Sequence, residues 1–359
     1  MIRTWITFFL ISSFLSAQEK WPPVVEVELR GSMNPFPAEG KWHLAYEIHI
    51  TNLERKQLKL TQVEITGQPL LTSETLGPNL YHLGTSKPSD PTLLPAGKRA
   101  VLFVWVTTDT RPDKLEHRVT FENETPVTLP IKRIPKRDPI EIAPPLQGAN
   151  WLAANGPSNV SAHRRALLPG NGHLRCPQRY AIDFLQMGET GRTFEGNRKE
   201  NESYFAYGKK LLAVASGTVV RVKDEIPENI PGLRSRAVRI TPETLGGNYV
   251  VLKIAPDRYA FYAHIIPGSL QVKVGDRVNA GQTLGLLGNS GNSTEPHLHL
   301  HIMDSPDPIA SDGLPFLIDR YQDQGDLADF DSAWDSKGIL RKKELPLQNR
   351  ILRFNLDPY

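Results

Sequence analysis

The sequence predicts an all-β protein made of two patterned regions. Three observations carry that prediction: short runs in which apolar and polar residues alternate, Gly, Pro and Asn at their ends, and no stretch that sustains a helical period. Val24–Leu29, His43–Ile50 and Leu58–Ile65 alternate as half-buried strands do, Ala100–Val106 is more continuously apolar, and His117–Phe121 is shorter. Strands of this length and spacing predict an immunoglobulin-like β-sandwich over residues 22–130. No cluster of His, Asp and Glu stands out in it, so it reads as an accessory or binding module. Pro135, Pro139, Pro144 and Pro145 then interrupt a run without period, which reads as a semi-rigid linker over residues 131–149.

Residues 150–322 return to the β pattern. Tyr180–Phe184, Leu211–Ala215, Gly217–Val222, Tyr249–Ile254 and Tyr259–Ala263 read as strands, followed by two Gly-punctuated hairpins, Val272–Val278 and Gly281–Leu287. The polar stretch Phe194–Glu202 reads as a loop over one rim, and residues 323–359 as a C-terminal tail of uninformative composition that could pack on either region.

The first residues predict export. Met1-Ile2-Arg3 supplies a short positive segment, Trp5–Leu15 is apolar but too short to span a bilayer comfortably, and Ala17 offers a cleavage point. A signal peptide over residues 1–17 would place the mature protein in a periplasm or outside the cell, with no membrane span left after cleavage. An uncleaved anchor is the competing reading. Hydrophobic content of 39%, charged content of 23% and a net charge of +3 describe a globular chain; without Lys/Arg blocks, nothing points to nucleic acid. Cys176 is the only cysteine, so the chain has neither an internal disulfide nor a Cys-based zinc site.

The chemistry concentrates in three places. His297, His299 and His301 alternate along Pro296–His301, so on a strand they project to one face. Aligned imidazoles suit a metal and its reacting water; a solvent-facing polar stripe is the plainer alternative. Asp183 sits among apolar neighbours in Arg179–Phe184, where a carboxylate needs a cation or donor, and a pair with Arg179 would satisfy it. His264 closes Phe261–His264 just before the Pro267-Gly268 turn, and alone would read as a packed histidine. One Asp with several imidazoles is a sulfur-free zinc donor set of the kind that keeps a position for water.

The pieces Ala181–Asp183, Ala213–Val219, Gly247–Val251, Tyr262–His264, Val274–Gln282, Gly288–Ser293 and Pro296–His299 follow one another in a specific order and spacing. Together they resemble the lysostaphin/LytM-type family of zinc endopeptidases that cut peptidoglycan cross-bridges and stems. The resemblance covers residues 178–303 and leaves the sandwich and linker outside. It implies a duplicated-hairpin β fold with a groove for peptidoglycan peptide, and one Zn²⁺ per chain. It further implies Asp183 and His299 as zinc ligands, with His264 and His297 as unligated catalytic histidines. Two departures matter. Arg179 stands where the family has its first zinc-ligating histidine, and an arginine has no lone pair to give. His301 stands where the family usually has glutamate; by strand parity it shares a face with His299 and is a candidate replacement ligand, leaving Arg179 as a supporting partner or substrate clamp. His163 and His173 are further candidates that the sequence cannot place. A catalytically silent module that binds wall peptide or regulates another hydrolase is the alternative reading, and Arg179 is the feature that favours it.

Overall fold

The long apolar alternation of residues 41–52 and the continuous run of 99–108 give the first region its frame. The strands Lys41–Asn52 and Arg99–Thr108 pair antiparallel over ten residues, from Trp42 opposite Thr108 to Thr51 opposite Arg99. The computed structural model describes residues 21–84, 88–234, 236–334 and 336–354; the expected signal peptide lies outside them. Val25–Arg30 and Leu80–Leu83 flank the central pair, and Phe36–Ala38 folds back on Lys41–His43. A second sheet is built on Leu58–Ile65, with His117–Phe121 beside it. Leu44, Tyr46, Ile48, Leu102 and Val104 from the first sheet share one core with Leu60, Val63, Val119 and Phe121 from the second.

The second region is organised by a twelve-stranded sheet. From one edge it runs Ile140–Ile142, Phe316–Asp326, Arg350–Phe354, Gly148–Ala154, Ile182–Gln186, Leu298–Met303, Arg258–Ile265, Asn248–Ala255, Gly217–Lys223 and Arg277–Val278. Gly313–Leu314 and Ile339–Glu344 attach beside this path. Both α-helices among the described residues, Ser73–Leu76 and Phe330–Trp334, are short, so the chain is all-β as expected.

Three local expectations are corrected. Val272–Val278 and Gly281–Leu287 do not close as hairpins: Arg277–Val278 pairs with Gly217–Lys223, and Thr283–Leu286 with Lys210–Leu212. The expected linker contributes Ile140–Ile142 as a parallel edge strand. The segment read as a tail supplies two strands of the large sheet, and Ile351, Leu352 and Phe354 are fully buried in it. Arg277–Val278, Thr283–Leu286 and Ile140–Ile142 are short, and their partners lie far away in sequence, which local alternation does not report.

The two regions share buried apolar surface. Phe36, Ala38 and Ala45 belong to the same core as Trp151, Tyr180 and Ile182, with the Phe36 and Tyr180 rings edge to face at 5.5 Å. Burying side chains of this size contributes roughly 2–3 kcal/mol each.

Candidate metal centre

Register explains the first half of the site. Asp183 on Ile182–Gln186 lies directly opposite His299 on Leu298–Met303, and His299 lies opposite Ala263 on the next strand. Directly opposed residues share a face, and His297 and His301 join that face by alternation. The Asp183 carboxylate meets His299 Nδ1 at 2.9 Å and His297 Nε2 at 3.4 Å through one oxygen. Its other oxygen meets the Asn155 amide at 3.0 Å and His163 Nε2 at 3.3 Å.

His264 reaches the site by a different route. Alternation from Ala263 would send its side chain to the opposite face, but its backbone is left-handed, with φ of +68°. The ring instead lies 4.7 Å from that of His297 and 5.9 Å from that of His299. Its Nδ1 faces the Ser290 carbonyl at 2.7 Å. Gly247 and Gly291 allow that contact: both have positive φ, and a Cβ on Gly291 would stand 2.2 Å from the Gly247 nitrogen.

His163 completes the cluster from the short 3-10 turn His163–Arg165, after the strand Gly148–Ala154. One ligand atom from each of His163, Asp183 and His299 falls within 4.8 Å of the others. The far nitrogens are occupied as a metal site requires. His163 Nδ1 lies 2.9 Å from the Asn155 carbonyl, and His299 Nε2 lies 3.0 Å from His301 Nδ1. With a metal bound, an N–H on the far side would leave the lone pair on the Asp183 side, which is how outer hydrogen bonds orient metal-ligating histidines. This nitrogen and oxygen donor set fits zinc.

The electrostatics agree with that fit. Burial by itself pushes the Asp183 carboxyl up, but His163 and His297 hold it well below the usual range. Burial pulls His163 and His297 down, and the Asp183 charge outweighs it and raises both. Burial takes His299 down to about 4 and drives His264 and His301 well below their ordinary value. The imidazole nitrogens that face the carboxylate can donate to it, and a cation would displace those protons as it bound. The centre opens onto a cleft of about 870 Å³ whose lining includes Tyr249, Phe261, Arg221 and Lys223.

His301 is buried in the same row, yet it stands outside the three-residue group, with its Nδ1 on His299 and its ring 5.1 Å from Phe261. His173 lies elsewhere, lining a smaller cavity with Arg175 and Arg179. Arg179 corrects the expectation of a pair with Asp183. Its guanidinium bonds Glu47 at 2.8 and 3.1 Å, Asp312 at 3.1 Å and the Gly313 carbonyl at 2.9 Å. Glu47 is 1% exposed on a strand of the first region, and a carboxylate so buried takes the cation. Sequence reasoning missed Glu47 and Asn155; only the Asn155-Gly156 dipeptide, a turn signal, hinted at the latter.

An all-β chain with a buried Asp/His cluster lining a cleft carries the donors of a metal centre. Residues 203–311 match Peptidase family M23. The glycyl-glycine endopeptidase ALE-1 of Staphylococcus capitis is 46% identical over 59 residues, 16% of each chain. The peptidoglycan DD-endopeptidase ShyA of Vibrio cholerae is 38% identical over 63 residues, 18% of this chain and 14% of that one. The alignment with ALE-1 thus spans only 16% of that relative's length. Among solved structures, the catalytic domain of Staphylococcus simulans lysostaphin is 24% identical, with 46% of this chain and 88% of that one covered and a TM-score of 0.26. That score is too low to bear on the fold, which rests on the strand pairing above.

Proposed function

We propose that the chain is an exported zinc-dependent endopeptidase that cleaves peptide bonds of cell-wall peptidoglycan. The observation that carries this reading is the convergence of His163, Asp183 and His299 beside two further imidazoles, His264 and His297, at the floor of an open cleft. In this reading His163, Asp183 and His299 hold the metal, and His301 fixes the ring of His299. Zinc bound there supplies a Lewis acid for the scissile carbonyl and lowers the pKa of water towards about 7. His264 is held neutral by burial, and its Nδ1–H donates to the Ser290 carbonyl, so its Nε2 lone pair is available to accept a proton. His297 donates its Nδ1–H to the Glu295 carbonyl and turns Nε2 into the site, where an N–H stabilises the negative charge developing on the carbonyl oxygen.

The names of two relatives, a glycyl-glycine endopeptidase and a peptidoglycan DD-endopeptidase, support wall peptide as the substrate. The same reading takes residues 22–130 as an immunoglobulin-like sandwich and residues 150–322 as a LytM-type duplicated-hairpin domain, extended by the Ile140–Ile142 edge strand and by the C-terminal strands. The signal-like sequence of residues 1–17 supports export to the periplasm or outside the cell.

The test is release of soluble fragments from purified peptidoglycan by the chain loaded with one equivalent of zinc. Release that stops with chelator, returns with zinc and is absent in His264→Ala supports the reading. A chain that holds zinc and binds peptidoglycan without releasing fragments would instead be a wall-binding module.

A further inference from the structure

The loop that delivers His163 is tied to Gln348 of the second region through Pro157 and Ser158, and its two arginines are braced on the first. Arg164, next to His163, is fully buried; its guanidinium pairs with Glu47, bonds the Tyr46 carbonyl at 2.7 Å and lies 4.9 Å from the Phe103 ring centre. Arg165 bonds Asn79 at 2.9 Å and the Asn159 carbonyl at 2.7 Å, and its guanidinium stacks 4.4 Å from the same Phe103 ring. The Asn159 amide in turn donates to Asn79 and to the Phe103 carbonyl. Glu47 is shared: one carboxylate receives Arg164 from the turn and Arg179 from the segment leading into the Asp183 strand. Arg179 continues to Asp312, which also takes Arg175 at 2.7 Å.

We propose that Glu47 is a positioning residue of the metal centre: by clamping Arg164 and Arg179 together, it fixes the turn that places His163 Nε2 beside Asp183. The reason is geometric. Asp183 and His299 are held by strand register and need no help, whereas His163 sits on one turn of 3-10 helix with no ladder of its own. Three residues of 3-10 helix do not define a side-chain position to the few tenths of an ångström that metal ligation demands. The bonds from Arg164 and Arg165 to Tyr46, Glu47 and Asn79 supply that definition. The first region is then a structural third of the site rather than an attached module. This inference rests on the proposed ligand set, but not on peptidase activity.

The test is a double-mutant cycle on the full chain, read as Zn²⁺ affinity by chelator competition and as the visible absorption of the Co²⁺-substituted protein. Glu47→Gln is expected to weaken Zn²⁺ binding about tenfold or more and to alter the Co²⁺ spectrum, with the near-UV circular dichroism of the fold retained. His163→Ala is expected to weaken binding further, and adding Glu47→Gln to it to change affinity by less than about twofold, because the residue through which Glu47 acts is gone. Equal losses in both backgrounds, or no loss in either, would overturn the proposal. If Glu47→Gln does not fold, Arg164→Lys keeps the charge opposite Glu47 but cannot also reach the Tyr46 carbonyl, and the same cycle applies. Glu26→Gln, which removes an exposed pair with Arg99 in the first region, is expected to leave both readouts unchanged. Zinc binding without peptide cleavage would sink the peptidase reading and leave this inference standing; a wild-type chain that holds no zinc would overturn it.

Discussion

Two buried charge clusters stand back to back across the His163–Arg165 turn, and they are built from different chemistry. On one side Glu47 and Asp312 are matched by Arg164, Arg175 and Arg179, groups that stay charged and have no lone pair to offer. On the other, Asp183 is matched by imidazoles, each of which can lose its proton and turn a lone pair to a metal or a substrate. The first cluster sets two carboxylates against three guanidinium groups whose charges are fixed, and holds two regions together. The second is met by imidazole nitrogens whose protons can leave and by the Asn155 amide. A fold can bury charge for architecture or for chemistry, and the side chains chosen as counterions separate the two uses.

The contrast breaks most sharply at the carboxylates. Asp183→Asn is expected to cost at least about a hundredfold in zinc affinity, since removing even an outer-shell partner costs ten- to a hundredfold. Elemental analysis checks it, and a variant that still held one tightly bound zinc per chain would move the metal elsewhere. Glu47→Ala should act on folding first: stranding two buried guanidinium groups is expected to cost roughly 3–5 kcal/mol in urea unfolding at neutral pH. If the loss were below about 1 kcal/mol, the arginine cluster would not be the architectural one.

Acid sharpens the same comparison. Burial pushes the Glu47 carboxyl up, but Arg164 and Arg179 bring it down to about 2 from an ordinary 4.5. The unfolded chain then takes up a proton that the folded chain refuses between those values. Stability from this group is full above pH 4.5 and falls as pH drops towards 2, by about 3 kcal/mol in all. Glu47→Gln should flatten that limb of the pH–stability curve. An unchanged slope would assign acid sensitivity to other carboxylates.

The smallest expected effect is at His301. As the acceptor for the outer nitrogen of His299, its loss in His301→Ala should lower zinc affinity about tenfold while leaving one zinc per chain at saturation. Complete loss of stoichiometric zinc would make His301 a ligand and change the proposed set.

The sequence by itself determined the β class and the row of histidines on one strand face, while the partnership of Asp183 with His299 was implied by the family resemblance. Alternation with period two is a local property, and the order of short motifs is legible without coordinates. It did not reveal that His264 turns into the site through a left-handed residue, because a single positive φ leaves no periodic trace. Nor did it reveal the partners of Arg179. Arg179 lies four residues before Asp183, yet its charge is taken by Glu47, 132 residues away. His163 and Asn155 come from a loop with no period, and only the packing of that loop on Tyr46, Asn79 and Phe103 brings them beside Asp183. Strand register is encoded along the chain. The closing of a buried charge network is decided by which groups meet once the two regions share a core, and that meeting exists only in three dimensions.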